Sequence, residues 1–401
     1  MRSLIFIFIF VYLNATNMEV VKYVSNDTPK ILVEYNTLSD KMKKLMVLDS
    51  QIITHYDFNF MEINTKIDVP LSNKEIYQKY DYLLRLSFKD SKLIAILYNL
   101  RTKKSMLYKI YKIADLDIYP FMIHALNFDV NSQLGFKPID WINKKIVYSV
   151  YLGPKSQSIF ISDITLTYRK KIISGGLNVF PKWANLDQTE IYYTKIEKTP
   201  VLYKYNIFTG SKERILASKG MLVVSDVKQN KLLLTLAPND QPDIYEFDIN
   251  NHSLKRLTKF SGIDVNGKFY DDKILFISDR LGYPNVYEKD LNSDNVKKVI
   301  YHGRNHIALA VYKDNIIVST RETNKAFNRN TFNLLLINKN NNYVKRLTFG
   351  GKNMLPVFSK DGTTLLFLKE YRFNSKFGII RLNENKVVYF KINRRIHSFD
   401  F

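Results

Sequence analysis

The second half of the chain alternates short apolar runs with polar turns at a steady spacing. The clearest copy of the pattern spans Val344–Leu382. Val357-Phe358-Ser359 reads as a short strand, and Lys360-Asp361-Gly362 as a turn in which glycine takes φ > 0 readily. Thr364–Leu368 (TLLFL) follows with apolar side chains on both faces, as expected where sheet packs on sheet. Phe377–Leu382 supplies a third strand and Lys386–Ile392 a fourth. Four antiparallel strands in that order compose one blade of a β-propeller.

The same unit extends backwards through its second strand, at Ile146–Ser149, Ile191–Thr194, Leu232–Thr235, Ile274–Ser278 and Ile316–Ser319. The starts lie about 42 residues apart, the span of a four-stranded blade repeat. An insertion, Glu322–Phe332, lengthens the last step. Third strands recur at Ile159-Phe160, Leu202-Tyr203, Ile244-Tyr245, Val286-Tyr287 and Leu334-Leu335. Fourth strands recur at Glu213–Leu216, Lys255–Thr258, Lys297–Ile300 and Lys345–Thr348. Six second strands predict six blades. A sandwich is the competing reading of evenly spaced strands, and the repeat period disfavours it.

Ahead of residue 136 the repeat is absent and helical and strand patterns mix. Lys30–Tyr35 reads as a strand, Ser39–Asp49 as a helix, and Ser72 with Glu75 as a capping box opening a short helix. Tyr82–Phe88, Lys92–Asn99 and Ser105–Tyr111 predict a three-stranded meander turning at Asp90-Ser91 and Arg101–Lys104. Asp117–Leu126 predicts a helix with Pro120 in its first turn. Asn131–Gly135 reads as a hinge. The chain is therefore expected to be mainly β: a leader at 1–15, a small α/β domain at 16–135, and a six-bladed propeller at 136–401.

Composition adjusts this picture in three places. Met1–Ala15 has one Arg, an apolar run at Leu4–Leu13 and a closing small residue, the pattern of a secretory signal cut after Ala15. A buried first strand is its alternative. No later segment is apolar and long enough to span a bilayer, so direct membrane insertion is not expected. The chain has no cysteine, which removes thiol nucleophiles and Cys-based zinc sites. The formal net charge of +22 suggests nucleic acid, anionic lipid or an acidic partner, but its lysines are scattered through turns and strand edges, where they also deter edge-to-edge aggregation. The Tyr/Lys alternation at Leu107–Ile113 has two readings, a nucleic-acid stripe or a half-exposed strand, and export argues against nucleic acid.

Catalytic signatures are missing. There is no G-x-S-x-G elbow, phosphate loop, G-x-G-x-x-G or H-E-x-x-H. His302 and His306 lie close together and form a candidate half of a metal site, against the plainer reading of surface histidines. A propeller instead offers loops that lead into each blade's first strand around a central channel. Those stretches are Asn178–Phe180, Lys219–Met221, Asp264–Asn266, Asn305–Ile307 and Lys352–Leu355. They differ from blade to blade, which suits recognition of an asymmetric protein surface; ordinary surface loops are the alternative.

Four stretches carry a family resemblance: Gly175–Trp183 (GGLNVFPKW), Gly350–Gly362 (GGKNMLPVFSKDG), Lys255–Thr258 (KRLT) and Ile277–Tyr287 (ISDRLGYPNVY). They resemble the repeats of the TolB family, the periplasmic component of the Tol–Pal system. The order of leader, α/β domain and six blades is similar too. The resemblance implies a non-enzymatic, monomeric periplasmic scaffold without cofactors. It would hold a Pal-like outer-membrane lipoprotein at the channel mouth and a TolA-like inner-membrane protein through its leading segment, serving envelope integrity and outer-membrane constriction at division. Carried onto this sequence, the lipoprotein site comprises Asn178, Phe180, Met221, Asp264, Asn266, His306, Asn353 and Leu355. The inner-membrane partner segment comprises Glu19, Val20, Val21, Lys22, Tyr23 and Val24. Ile396–Phe401 resembles the family's terminal segment that completes the ring. The competing function is a propeller-type polysaccharide lyase or hydrolase with a metal held by His302 and His306.

Overall fold

A computed structural model of the chain describes residues 18–20, 28–63, 77–321, 331–371, 374–384 and 386–401. The leader at 1–15, the partner-segment residues Val21, Lys22, Tyr23 and Val24, the Ser72–Glu75 capping box and positions 322–330 of the insertion lie outside them. Glu19 and Val20 fall in a three-residue strand, β1 (Met18–Val20). The described chain forms two compact units.

The first unit, Glu19–Lys145 with Ser162–Arg169, is built on one five-stranded sheet. Its strands β2 (Lys30–Asn36), β3 (Asp57–Glu62), β4 (Tyr82–Lys89), β5 (Lys92–Asn99) and β6 (Lys104–Lys112) lie in the order β3-β2-β4-β5-β6. β2 runs parallel to both neighbours, and β4, β5 and β6 form the expected antiparallel meander. Asp90 and Ser91 both take positive φ at the β4–β5 turn, the mirror-image geometry that follows the strand twist. Helix α1 (Asp40–Ile53) starts where Ser39 accepts a bond from the Met42 amide, and ends at Thr54, which takes φ 68°. Its apolar spacing continues past Asp49, so Ile52 and Ile53 are also buried.

Two sequence expectations need correction here. β3 was not foreseen as a strand, although Phe58 and Phe60 alternate as a strand requires. The stretch read as a hinge is the end of helix α2 (Tyr119–Gln133). Asn131 is buried there, accepts a bond from the His55 ring at 2.6 Å and donates to the Lys137 carbonyl at 2.9 Å.

A buried polar network ties this unit together. His124 on α2 is fully enclosed and bonds Asp49 of α1 through Nδ1 at 2.8 Å and Asp163 through Nε2 at 3.1 Å. Asn127 donates to Asp49 at 2.9 Å. Burial opposes the imidazolium, but the two carboxylates outweigh it and push the His124 pKa up to about 10.

The second unit, Ile146–Ile161 with Lys170–Phe401, holds six four-stranded blades. Blade one contains β7 (Ile146–Gly153), β8 (Ser156–Ser162) and β9 (Arg169–Ile173); blade two β10 (Leu177–Trp183), β11 (Glu190–Ile196), β12 (Pro200–Asn206) and β13 (Lys212–Ala217). Blade three contains β14 (Leu222–Lys228), β15 (Lys231–Leu236), β16 (Asp243–Asp248) and β17 (Leu254–Arg256). Blade four contains β18 (Asp264–Tyr270), β19 (Lys273–Ser278), β20 (Asn285–Asp290) and β21 (Val296–Lys298). Blade five contains β22 (Arg304–Tyr312), β23 (Asn315–Arg321), β24 (Phe332–Asn338) and β25 (Val344–Arg346). Blade six contains β26 (Lys352–Phe358), β27 (Thr364–Glu370), β28 (Ser375–Arg381) and β29 (Lys386–Ile392). The missing first strand of blade one is β30 (Ile396–Asp400), which pairs antiparallel with β7 and sets Asp400 opposite Val147. The six first strands touch in succession, β30 to β10, β14, β18, β22, β26 and back to β30. The chain end thus completes the ring.

Each second strand is apolar on both faces because each blade packs between two others. Leu232 and Leu234 of β15 face Tyr192 and Leu202 of blade two, whereas Leu233 joins Ile274 and Phe276 of blade four. Burying one such leucine contributes roughly 2 kcal/mol. The same arrangement places Ile317 against Phe367 between blades five and six. Gly362 sits at one of these interfaces with φ 71°, and a Cβ there would collide with the Tyr312 ring.

Candidate binding site at the channel mouth

The stretches expected to be entrance loops are, with one exception, parts of the first strands themselves. Only Lys219–Met221 precedes its strand; the others lie within β10, β18, β22 and β26. These strands are bulged, with register breaks at Val179/Lys182, Val265/Lys268 and Met354/Val357. Phe180, Asn266 and Leu355 occupy the bulges in left-handed conformation, at φ 54°, 57° and 51°. A bulge turns its side chain out of the pleat alternation. All three, with Met221, line a cavity of about 330 Å³ bounded by the first strands.

The other four residues proposed for the mouth are buried inside the blades, and this corrects their assignment. Asn178, Asp264, His306 and Asn353 each stand three positions before the repeat residue Pro181, Gly267, Leu309 or Pro356, and none exposes surface. Asn178 donates to the carbonyls of Gln157 and Gly175 at 3.0 and 3.1 Å. Asn353 donates to those of Phe332 and Gly350 at 2.9 and 3.0 Å. Asp264 accepts both its bonds from Arg280, at 3.0 and 2.9 Å, and Arg280 lies over the rings of Phe260, Phe276 and Tyr287. The bulge breaks the pleat alternation, so this position is enclosed in the blade interface while the residue two further on faces the channel.

His306 is neutral, since burial, helped by Lys298, lowers its pKa to about 4. Neither ring nitrogen has a hydrogen-bond partner among the described residues. His302 is exposed while His306 is enclosed, so the pair does not converge on a common ligand. Among the described residues, no three His, Asp or Glu side chains gather as a metal-binding group.

Sequence reasoning missed the polar residues deeper in the cavity. Lys182 pairs with Asp400 at 2.9 Å, and the other oxygen of Asp400 accepts the Trp183 amide at 3.0 Å. Lys268 also lines the cavity; burial, and then the charge of Lys182, lowers its pKa to about 8. His397 from β30 lies beside Phe180, ring centres 4.9 Å apart and planes tilted by 58°. Lys182 and Lys268 were within reach of the repeat register, one position after Pro181 and Gly267. Asp400 and His397 come from the chain end, where no repeat signal exists. The result is an apolar lining of Phe180, Met221 and Leu355 beside the Lys182–Asp400 pair and Lys268, a cavity suited to gripping a protein side chain or loop.

Comparison with known proteins gives a consistent picture. The family model for PD40, the TolB beta propeller domain, matches residues 142–386. The Tol-Pal system protein TolB of Wolinella succinogenes is 38% identical, covering 96% of this chain and 95% of that protein. Its counterpart in Helicobacter hepaticus is 36% identical over the same shares of the two chains. The crystal structure of TolB from Acinetobacter baumannii superposes with a TM-score of 0.78 over 96% of this chain and 99% of that one. At 18% identity, that last likeness is one of fold.

Proposed function

This chain belongs to the TolB family, and on that premise we propose that it is a periplasmic scaffold joining a Pal-like outer-membrane lipoprotein to a TolA-like inner-membrane protein. It is a Tol–Pal system component and not an enzyme. The observation that carries the proposal is identity of 35–38% to Tol-Pal system proteins over nearly the whole chain. The apolar lining of Phe180, Met221 and Leu355 supports placing the lipoprotein there. Asn266 completes the proposed contact set.

The leader at 1–15 would direct export, and the segment Thr16–Asn26, with Glu19–Val24 at its centre, would bind the inner-membrane partner. Its docking and release would be linked to occupancy of the channel mouth. Maintenance of envelope integrity and outer-membrane constriction at division belong to the same proposal. The scaffold acts as a monomer, without nucleic acid. No described helix is long and apolar enough to cross a membrane.

Titration calorimetry with the soluble domain of the organism's own Pal-type lipoprotein tests the reading. The mature protein should bind it, and Met221→Glu with Leu355→Glu should abolish binding while the fold survives. A chain starting at Asn26 should keep the lipoprotein and lose the TolA-type partner. Failure of the mature protein to bind the lipoprotein, or retention of both partners by the shortened chain, would overturn it.

A further inference from the structure

β6 forms one edge of the five-stranded sheet, and among the described residues its outer side meets no other strand. It is nine residues long, and only Tyr111 within it is buried. An open strand of this length presents a row of backbone N–H and C=O groups on which another extended segment can add.

Its side chains are sorted by face. Tyr111 and Lys109 turn toward α2, where both bond the Asp129 carboxylate, at 2.6 and 2.7 Å. Tyr108, Ile110 and Lys112 therefore stand on the opposite face. Tyr108 is 65% exposed and Ile110 43%, and they lie beside Ile96 and Ile94 of β5. The strand carries Lys104, Lys109 and Lys112 and no acidic residue, and the turn before it adds Arg101 and Lys103.

We propose that β6 is a docking edge for an acidic, extended segment of a partner protein, which adds to the sheet as a sixth strand. The charge pattern selects this occupant. A second copy pairing antiparallel about Tyr108 would set Lys104 opposite Lys112 at both ends, and directly opposed like charges destabilise a strand pair. A segment with β-branched residues at its centre and acidic residues at both ends answers both features: carboxylates near Lys104 and Lys112, and apolar contact along Tyr108 and Ile110. The site lies in the first unit and is independent of the channel.

Hydrogen exchange of the full chain, with and without a nine-residue peptide of central Val and Thr flanked by Glu at both ends, provides the test. The Glu peptide should slow exchange of the β6 amides several-fold, and its Lys-for-Glu counterpart should not. In a Lys104→Glu, Lys112→Glu variant, the Glu peptide should bind roughly tenfold more weakly, because two exposed attractive pairs become repulsive. Unchanged exchange in β2 and β4 of the variant establishes that the sheet is intact. Protection of the outward-facing β6 amides in the free protein, binding without added protection of those amides, or no binding at millimolar peptide each overturns the proposal.

Discussion

The side-chain amide of Asn178 donates to the backbone carbonyl of Gln157 at 3.0 Å, tying the first strand of blade two to the third strand of blade one. Asn353 repeats the bond to Phe332 between blades six and five, at 2.9 Å. Each asparagine follows a Gly-Gly pair with positive φ, Gly175-Gly176 and Gly350-Gly351, which turns the chain so that the amide reaches back. The Gly-Gly-x-Asn motif is thus a latch between consecutive blades. Asn353→Ala should lower stability by about 1–3 kcal/mol, since it strands buried carbonyls. Urea unfolding measures this, and lipoprotein affinity of the folded fraction should not change.

Channel positions should behave in the opposite way. Phe180→Ala should weaken lipoprotein binding at least tenfold with little change in melting temperature, because a half-buried aromatic at the cavity contributes to the complex more than to the ring. Calorimetry of binding alongside thermal melting separates the two effects. A large loss of stability with unchanged affinity would place Phe180 with the latch residues instead.

His306 offers a contrast in pH. Its folded pKa, about 4, lies below the ordinary value of 6.5, so the unfolded chain takes up the proton first. The stability associated with neutral His306 is present above pH 6.5 and is lost as pH falls toward 4. His306→Leu should be neutral or stabilising at pH 7, since two unpartnered buried nitrogens disappear, and should melt with less acid dependence. Thermal melts of both proteins from pH 7 to pH 4 check the prediction.

Lys268 works in the alkaline range. Its folded pKa of about 8 lies below the ordinary 10.5, so its charge destabilises the fold fully below pH 8. That penalty is relieved as pH rises from about 8 toward 10.5, where the unfolded chain holds the proton longer. Lys268→Met should therefore melt higher than the parent at pH 7, and the gap should narrow toward pH 10. A gap that is constant with pH would reject the assignment.

The enclosed His124 holds together two buried carboxylates of the first unit. His124→Ala leaves the Asp49 and Asp163 carboxylates buried without their cation, a loss of about 3–5 kcal/mol. Hydrogen exchange should locate the damage in α1 and α2. With a folded pKa near 10 against 6.5 unfolded, the contribution of His124 is complete below pH 6.5 and is lost as pH rises through 10.

The blade architecture was legible because its cause is local and repeated. A second strand squeezed between two blades must be apolar on both faces, so Ile146–Ser149 through Thr364–Leu368 announce themselves at a regular interval. The family resemblance rested on the latch motif and its neighbours, which are structural devices and so were visible as repeats. The site was only half legible. Four of the eight expected mouth residues are inside the blades, because stretches of loop-like composition here form bulged first strands. Phe180 and Asn178 are two residues apart, and the bulge at Val179/Lys182 determines that one faces the channel while the other is enclosed.

Sequence alone thus determined the periodic skeleton: strand type and blade number follow from apolar spacing that any chain of this pattern must bury, and the closing role of the final residues from the family resemblance. Tertiary structure alone decided which side chains distant in sequence meet. Asp400 reaches Lys182 across 218 positions of sequence, and Asp49 reaches His124 across 75. Burial couples such pairs through space, where periodicity along the chain carries no signal.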